Sequence, residues 1–326
     1  MPKADFVPER DGFRFANEFV NVIAKVPGYG TLETGGRCGG MAYAALDYWF
    51  DGRLPIPSDA ALPHDGTLMA DYIYKRQLET YLVPSAINFI TWTLAGDGEN
   101  FFHKGVTRWT KEGEFPKLRA MIDKGKPQVL GLVKVTDLRQ MGQDHQVVAY
   151  GYEDDGKGNL VAYLWDNRYP NREVRLTTNS KKPHWMLSEG NEDWRGWFIQ
   201  GFGPKRPDFL QDGALLQEKG TSAIHIVAGG AKFSVPSVTE LAALGRNPRE
   251  VRQVGAGSLA YIADVPANGT LLKERSQEQV YVIEAGAKHA VTSAQAMDAH
   301  GFSKDDVLTV PEGGLRRIPD GDPIGA

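Results

Sequence analysis

The chain has 326 residues, 41% of them hydrophobic and 24% charged, with 37 basic against 41 acidic side chains and a net charge of −4. That length suits about two domains, that apolar fraction argues against wholesale disorder, and that charge balance leaves no global field to draw in nucleic acid. Cys38 is the one cysteine, which excludes an internal disulfide framework and any multi-cysteine metal site.

The opening residues Met1-Pro2-Lys3-Ala4-Asp5-Phe6 lead into no apolar core, so a secretory leader is not expected and a cytoplasmic location is, with export by a specialised route left open. Apolar runs such as Val129-Leu130-Gly131-Leu132-Val133 are strand-length, well short of the roughly 18 residues of a membrane helix, so no membrane span is expected. Gly28-Tyr29-Gly30 lacks the third glycine and the preceding strand of a dinucleotide site.

The informative stretch runs from Thr34 to Trp49. Apolar residues recur at helical spacing from Met41 through Ala44-Ala45 to Tyr48-Trp49, which places Cys38 at the entrance of a buried helix. Free N–H groups and partial positive charge at such an entrance stabilise a thiolate. The flanking glycines, Gly35-Gly36 and Gly39-Gly40, are expected to leave the backbone open to an approaching substrate chain. A second helix is predicted from Thr67 through Leu82 as scaffold, and His64 and His103 read as surface or loop residues.

A thiolate nucleophile needs a base, and the base an orienting partner. Of seven histidines, His145 has the useful setting. It opens an apolar strand through Tyr152; a polar turn, Asp154-Asp155-Gly156-Lys157-Gly158-Asn159, leads to a second strand from Leu160 to Trp165. The turn lacks the ligand spacing of a calcium loop. In a hairpin, the start of one strand lies beside the end of the next, so His145 is predicted to meet Asp166 or Asn167. Trp185, Trp194, Trp197 and Phe198 read as core. No zinc or phosphate-binding motif occurs, so neither metal nor cofactor is expected.

Gly201 through Asp208 has a linker's composition, and all seven tryptophans precede it. Beyond it the chain repeats at an offset of 56 residues: His225-Ile226-Val227-Ala228-Gly229-Gly230-Ala231-Lys232 falls on Tyr281-Val282-Ile283-Glu284-Ala285-Gly286-Ala287-Lys288, and Asp264 on Asp320. Each unit reads as strand, glycine turn, strand, short helix (Val238 to Leu244; Ala294 to His300) and extended tail. Neither can bury enough surface alone, so the copies are expected to pack together. The predicted organisation is one domain over residues 1–205 and a duplicated α+β module over 210–326, with copies at about 213–268 and 269–326.

The Gly-flanked cysteine at a helix start, the Asp144-His145-Gln146-Val147-Val148 strand and the later Asp166-Asn167 stand in the order Cys, His, Asp/Asn. Over roughly residues 10–205 this resembles the papain-like cysteine peptidase superfamily. The Cys38–Tyr48 block, preceded by Phe15-Ala16-Asn17-Glu18-Phe19, resembles a group of uncharacterised bacterial members. The resemblance implies an α+β fold in which a helical half carrying Cys38 packs on an antiparallel sheet carrying His145. It also implies a Cys38–His145–Asp166 triad, with Asn167 as the alternative third member, acting on a peptide or protein. Such peptidases carry a glutamine just before the cysteine to help hold the oxyanion, and none stands there. Asn17, Asn21 and Gln143 are the substitutes, with Asn17 favoured beside the Cys38 amide. The same triad serves transglutaminases and deamidases, and an inactive papain-like binding protein, with the C-terminal pair as recognition surface, is the non-enzymatic reading.

Overall fold

The computed structural model describes residues 2–26, 30–98, 104–181 and 184–325, with nothing described of the side chains of residues 22–26 and 30–34. Gly28 and Tyr29 of the glycine motif, and His103, lie outside the described residues. The chain is of the mixed α+β class. It forms two compact units: Met1–Leu46, Ala60–Leu62 and Tyr72–Pro204 in the first, and Asp47–Asp59, Pro63–Asp71 and Lys205–Ala326 in the second.

This division departs from a simple cut near residue 205, because residues 47–59 and 63–71 join the second unit. Hydrogen bonds explain the assignment: Asp47 Oδ1 accepts from Lys205 N–H at 2.9 Å, and Ser258 Oγ from Leu68 N–H at 3.1 Å. These links join residues far apart in sequence, which no local pattern signals.

In the first unit, a short helix α1 (Pro8–Asp11) precedes the hairpin β1 (Val20–Val26) and β2 (Gly30–Gly35). Helix α2 (Cys38–Phe50) follows at once, belonging to this unit through Leu46, then α3 (Leu68–Thr80), belonging to it from Tyr72, and α4 (Ile87–Leu94). Helices α5 (Gly105–Arg108) and α6 (Phe115–Ile122) are joined by a π-helical stretch, Trp109–Glu114. The predicted helix over 67–82 is thus found at Leu68–Thr80.

Seven antiparallel strands complete the unit: β3 (Gln128–Val133), β4 (His145–Asp154), β5 (Leu160–Trp165), β6 (Val174–Thr178), β7 (Trp185–Leu187), β8 (Asp193–Trp194) and β9 (Gly196–Gln200). Their order is β8-β7-β6-β5-β4-β3-β9. Pairing of alternate faces puts Trp185, Trp194 and Trp197 against Phe115, Leu118 and Ile122 of α6 in one core. Phe198, one residue from Trp197, points into a separate cluster with Trp92, Val106 and Val133. The four aromatic residues are all buried, as a core assignment requires.

In the second unit, β10 (Leu215–Glu218), β11 (Ile224–Ala228), β12 (Ala231–Val235), α7 (Val238–Ala243) and β13 (Arg252–Val254) make one four-stranded sheet with a helix. Next come β14 (Leu271–Glu274), β15 (Tyr281–Glu284), β16 (Ala287–Ala290), α8 (Ala294–Ala299) and β17 (Leu308–Val310). The strand orders, β12-β11-β10-β13 and β16-β15-β14-β17, correspond one to one. In both, the segment read as an extended tail closes the sheet as a parallel strand. Ile226, Phe233, Val235 and Leu241 share one core with Leu272, Ile283, Val310 and Ile318, so the two sheets bury each other's apolar faces.

Among the described residues, no helix is long and apolar enough to cross a membrane, and no cluster of side chains could hold a metal ion.

Candidate active site

Cys38 is the first residue of α2 and is half-buried. The helix entrance is held from both sides. Asn17 Oδ1 accepts from Arg37 N–H at 2.7 Å, and Arg37 Nε donates to Asn21 Oδ1 at 2.7 Å. Beyond the cysteine, Gly40 N–H donates to Gln77 Oε1 of α3 at 2.9 Å. A Cβ at Gly39 would stand 1.9 Å from Gln146 Oε1, and one at Gly40 would stand 2.1 Å from the Ile73 carbonyl oxygen. These two glycines therefore serve close packing of α2 on β4 and α3, not the open approach expected of them. Gly35 and Gly36, ahead of the cysteine, do line an open cleft.

His145 is the first residue of β4. Its Nε2 lies 2.8 Å from Asp166 Oδ1, just past the end of β5. Antiparallel pairing of β4 with β5, Val148 opposite Trp165, brings the strand start beside the strand end. With Nε2 committed to the carboxylate, Nδ1 is the ring nitrogen left for the thiol, and Cys38 and His145 share a side-chain hydrogen bond. The Trp194 ring stacks over the imidazole at 6.3 Å between centroids.

Asp166 is fully buried and amply supplied with donors. Besides His145 it accepts from Arg168 N–H at 3.0 Å (Oδ1) and Arg168 Nη2 at 2.9 Å (Oδ2). Arg168 in turn reaches Glu192 at 2.9 Å through Nη1. Asn167, the alternative third member, does something else. Its Nδ2 donates to the carbonyl oxygens of Cys38 and Gln146, each at 3.0 Å, tying the helix entrance to the strand. Its Oδ1 is buried with no hydrogen-bond partner among the described residues.

The electrostatics follow from this packing. Burial pushes the Cys38 thiol up, but the hydrogen bond and charge of His145, helped by the Gln146 and Gly39 backbone N–H groups, bring its pKa below the ordinary thiol value. Burial alone would lower His145; the charge and hydrogen bond of Asp166, then those of Cys38, lift it to about 9. Burial would raise Asp166, yet His145 and Arg168 hold it well below the usual carboxylate range. The three shifts agree in sense: each favours the charged form of its group, thiolate, imidazolium and carboxylate.

A cleft of about 610 Å³ opens beside the pair. One wall is apolar, from Val83, Pro84, Ile87, Phe89, Ile90 and Met141; the polar groups are Asn21, Gln77, Tyr81, Asp144 and Gln146 with Cys38 and His145. Asn17 is not on that wall. Its carboxamide oxygen is spent on the Arg37 amide, which makes it a brace for the helix entrance, and Asn21 faces the cleft instead. Gln143 is exposed and does not line the cleft.

Asp144 has Oδ1 on the N–H groups of Lys134 (2.8 Å) and Val135 (3.4 Å), and burial lifts its pKa to about 6. Sequence reading did not single out Gln77, Tyr81 or Arg168. Arg168 was legible in principle, two residues after the aspartate; Gln77 and Tyr81 reach the site only because α3 packs on α2. Of the other histidines, His184 sits between Asp193 (2.7 Å) and Asp97 (3.2 Å), away from the cleft. Compared with protein-family models, curated proteins and solved structures, the chain matches none.

Proposed function

We propose that the protein is a thiol-dependent hydrolase of amide bonds, with Cys38 as nucleophile, His145 as acid–base and Asp166 as the group that orients and charges the imidazole. The observation that carries this reading is the continuous chain from thiol to imidazole to buried carboxylate on the wall of an open cleft. In the reaction the thiolate attacks the carbonyl carbon, and the electron pair moves to oxygen. The imidazolium gives its proton to the leaving amine as the C–N bond breaks, leaving a thioester on Cys38. Neutral His145 then takes a proton from water, whose oxygen attacks the thioester; collapse returns the thiolate and imidazolium and releases the acid.

The apolar wall suits a peptide or protein substrate presenting an aliphatic or aromatic side chain beside the scissile bond. As part of the same proposal, the first unit is papain-like, the second is a duplicated module, and the chemistry of a lone free thiol suits the cytoplasm. The chain is not proposed to use a metal or cofactor. The test is labelling of the purified protein by a thiol-directed probe, followed by assay on peptide libraries rich in apolar residues. Cys38→Ala is expected to abolish both; turnover that survives Cys38→Ala would sink the reading. Ammonia released without backbone cleavage would reassign the chemistry to side-chain amides, as in deamidases and transglutaminases.

A further inference from the structure

An acyl-transfer site needs two hydrogen-bond donors where the carbonyl oxygen becomes negative. The backbone N–H of Cys38, in the first turn of α2, is one, since no preceding helical turn uses it. The second is not at the position where the sequence resemblance would place a glutamine, and most polar groups on the cleft are turned elsewhere. The Asn21 amide nitrogen points back to the Gly36 carbonyl at 2.8 Å. The Gln146 amide nitrogen is joined to Gln200 Oε1, and Asp144 is itself an acceptor.

Gln77 and Tyr81 form a directed relay. Gln77 Oε1 takes the Gly40 N–H at 2.9 Å, which fixes the carboxamide's orientation, so its Nε2 donates to Tyr81 Oη at 2.9 Å. The phenol thus accepts from Gln77 and has its own hydrogen to give. Tyr81, exposed as a residue, lies on the cleft wall with Cys38, one residue past the end of α3. Burial of the hydroxyl and the nearby Cys38 charge both work to keep that proton on the oxygen, against the pull of the Gln77 hydrogen bond.

We propose that the Tyr81 hydroxyl is the second oxyanion donor of the site, aimed by the Gln77 carboxamide that also braces the helix carrying Cys38. The proposal rests on the thiol acyl-transfer reading above. Tyr81 is then a catalytic residue that touches the developing oxyanion, and Gln77 a positioning residue.

The experiment uses the full chain and two probes. Iodoacetamide alkylates a thiolate and builds no oxyanion. N-acetyl-phenylalaninal adds the Cys38 S–H across its carbonyl, forming a C–S bond and placing the proton on the oxygen that occupies the hole. Tyr81→Phe is expected to weaken aldehyde binding about 10- to 100-fold while leaving the alkylation rate within about twofold of wild type. Gln77→Glu keeps the acceptor for Gly40 but presents a carboxylate oxygen that takes the Tyr81 hydrogen for itself, so it should weaken the aldehyde about as much.

Undiminished aldehyde affinity in Tyr81→Phe overturns the assignment, as does a wild-type protein that alkylates readily but forms no hemithioacetal. Failure of Cys38 to react with iodoacetamide faster than a free cysteine at pH 7 would instead remove the underlying thiol reading, and the proposal with it.

Discussion

In the first unit His145 lies between a thiol and a buried carboxylate; in the second, His289 Nδ1 and His300 Nε2 meet the backbone carbonyls of Asp322 (2.8 Å) and Gly325 (3.1 Å). The contrast extends to lysine. Lys232 Nζ bonds the Ile262 carbonyl at 2.6 Å and pairs with Asp264; Lys288 Nζ bonds the Ile318 carbonyl at 2.7 Å and pairs with Asp320. Every member of the second set stands 56 positions after its counterpart. A charged group that recurs at the repeat interval, bonded to backbone, holds a chain end in place. The His145 pair occurs once, faces a cleft and combines groups whose protonation states are coupled, as chemistry requires and architecture does not. Desolvated charge is costly unless paired, and both units pair theirs; among the described residues the paired imidazole of the first unit stands with the Cys38 thiol on a cleft.

The largest break in this contrast should come from His145→Ala. Without the imidazole the helix terminus and two backbone N–H groups are left to stabilise the thiolate, so the alkylation rate of Cys38 at pH 6–7 is expected to fall at least tenfold, with amide turnover down by about 10,000-fold. An unchanged rate–pH profile for alkylation would show that the two groups do not act together.

Asp166→Asn should act next, on both stability and pH. It leaves His145 and Arg168 without their shared buried carboxylate, a loss of about 3–5 kcal/mol by chemical denaturation. The alkaline limb of activity, set in the wild type by His145 losing its proton near pH 9, should move toward neutrality.

The sign of the wild-type pH dependence follows from the same groups. His145 has a raised pKa, so its contribution is complete below about 6.5 and lost as pH rises through about 9. Asp166 has a depressed pKa, so its contribution is present above the ordinary carboxylate range and is lost only as pH falls well below it. The His145 contribution should therefore be lost on the alkaline side, opposed there by Cys38, whose depressed pKa adds stability as pH rises; in Cys38→Ala, which removes that opposing titration, a midpoint that rises between pH 7 and 9.5 would contradict this assignment of charge.

In the second unit the effects should be confined to folding. Leu272 is fully buried in the core that Ile226, Phe233 and Leu241 share with it, so Leu272→Ala is expected to cost about 3 kcal/mol while Cys38 alkylates at the wild-type rate. The smallest effects belong to Lys232→Met and Lys288→Met. Each removes one hydrogen bond to a carbonyl and an ion pair with an exposed aspartate, together about 1–2 kcal/mol, and the two losses should agree to within about 0.5 kcal/mol. Unequal losses would show that the correspondence between the sheets is one of strand order alone.

Much of this was legible along the chain. Helical spacing after Cys38 located α2, and two apolar runs flanking Asp154–Asn159 located the hairpin that brings His145 to Asp166. Positions matched at an offset of 56, such as Lys232 and Lys288, fall on β12 and β16, which hold the same place in two sheets of the same strand order. What sequence reading misplaced has a common cause. The sequence neighbours of Asn17 suggest an oxyanion role, but its oxygen holds the Arg37 amide and the residue does not line the cleft; Gly39 and Gly40 suggest an open approach, but α3 and β4 fill that space.

By itself the sequence determined the periodicities and the short-range pairings: which residues start a helix, which strands form a hairpin, and which segment repeats. These follow from backbone geometry over a few residues, where spacing suffices. Only the tertiary structure decided that Gln77 and Tyr81 line the cleft with Cys38, that Asn167 ties helix to strand, and that residues 47–59 and 63–71 belong with the C-terminal unit. Those outcomes depend on how helix faces pack and which buried polar groups find partners, and such contacts join residues dozens to hundreds of positions apart.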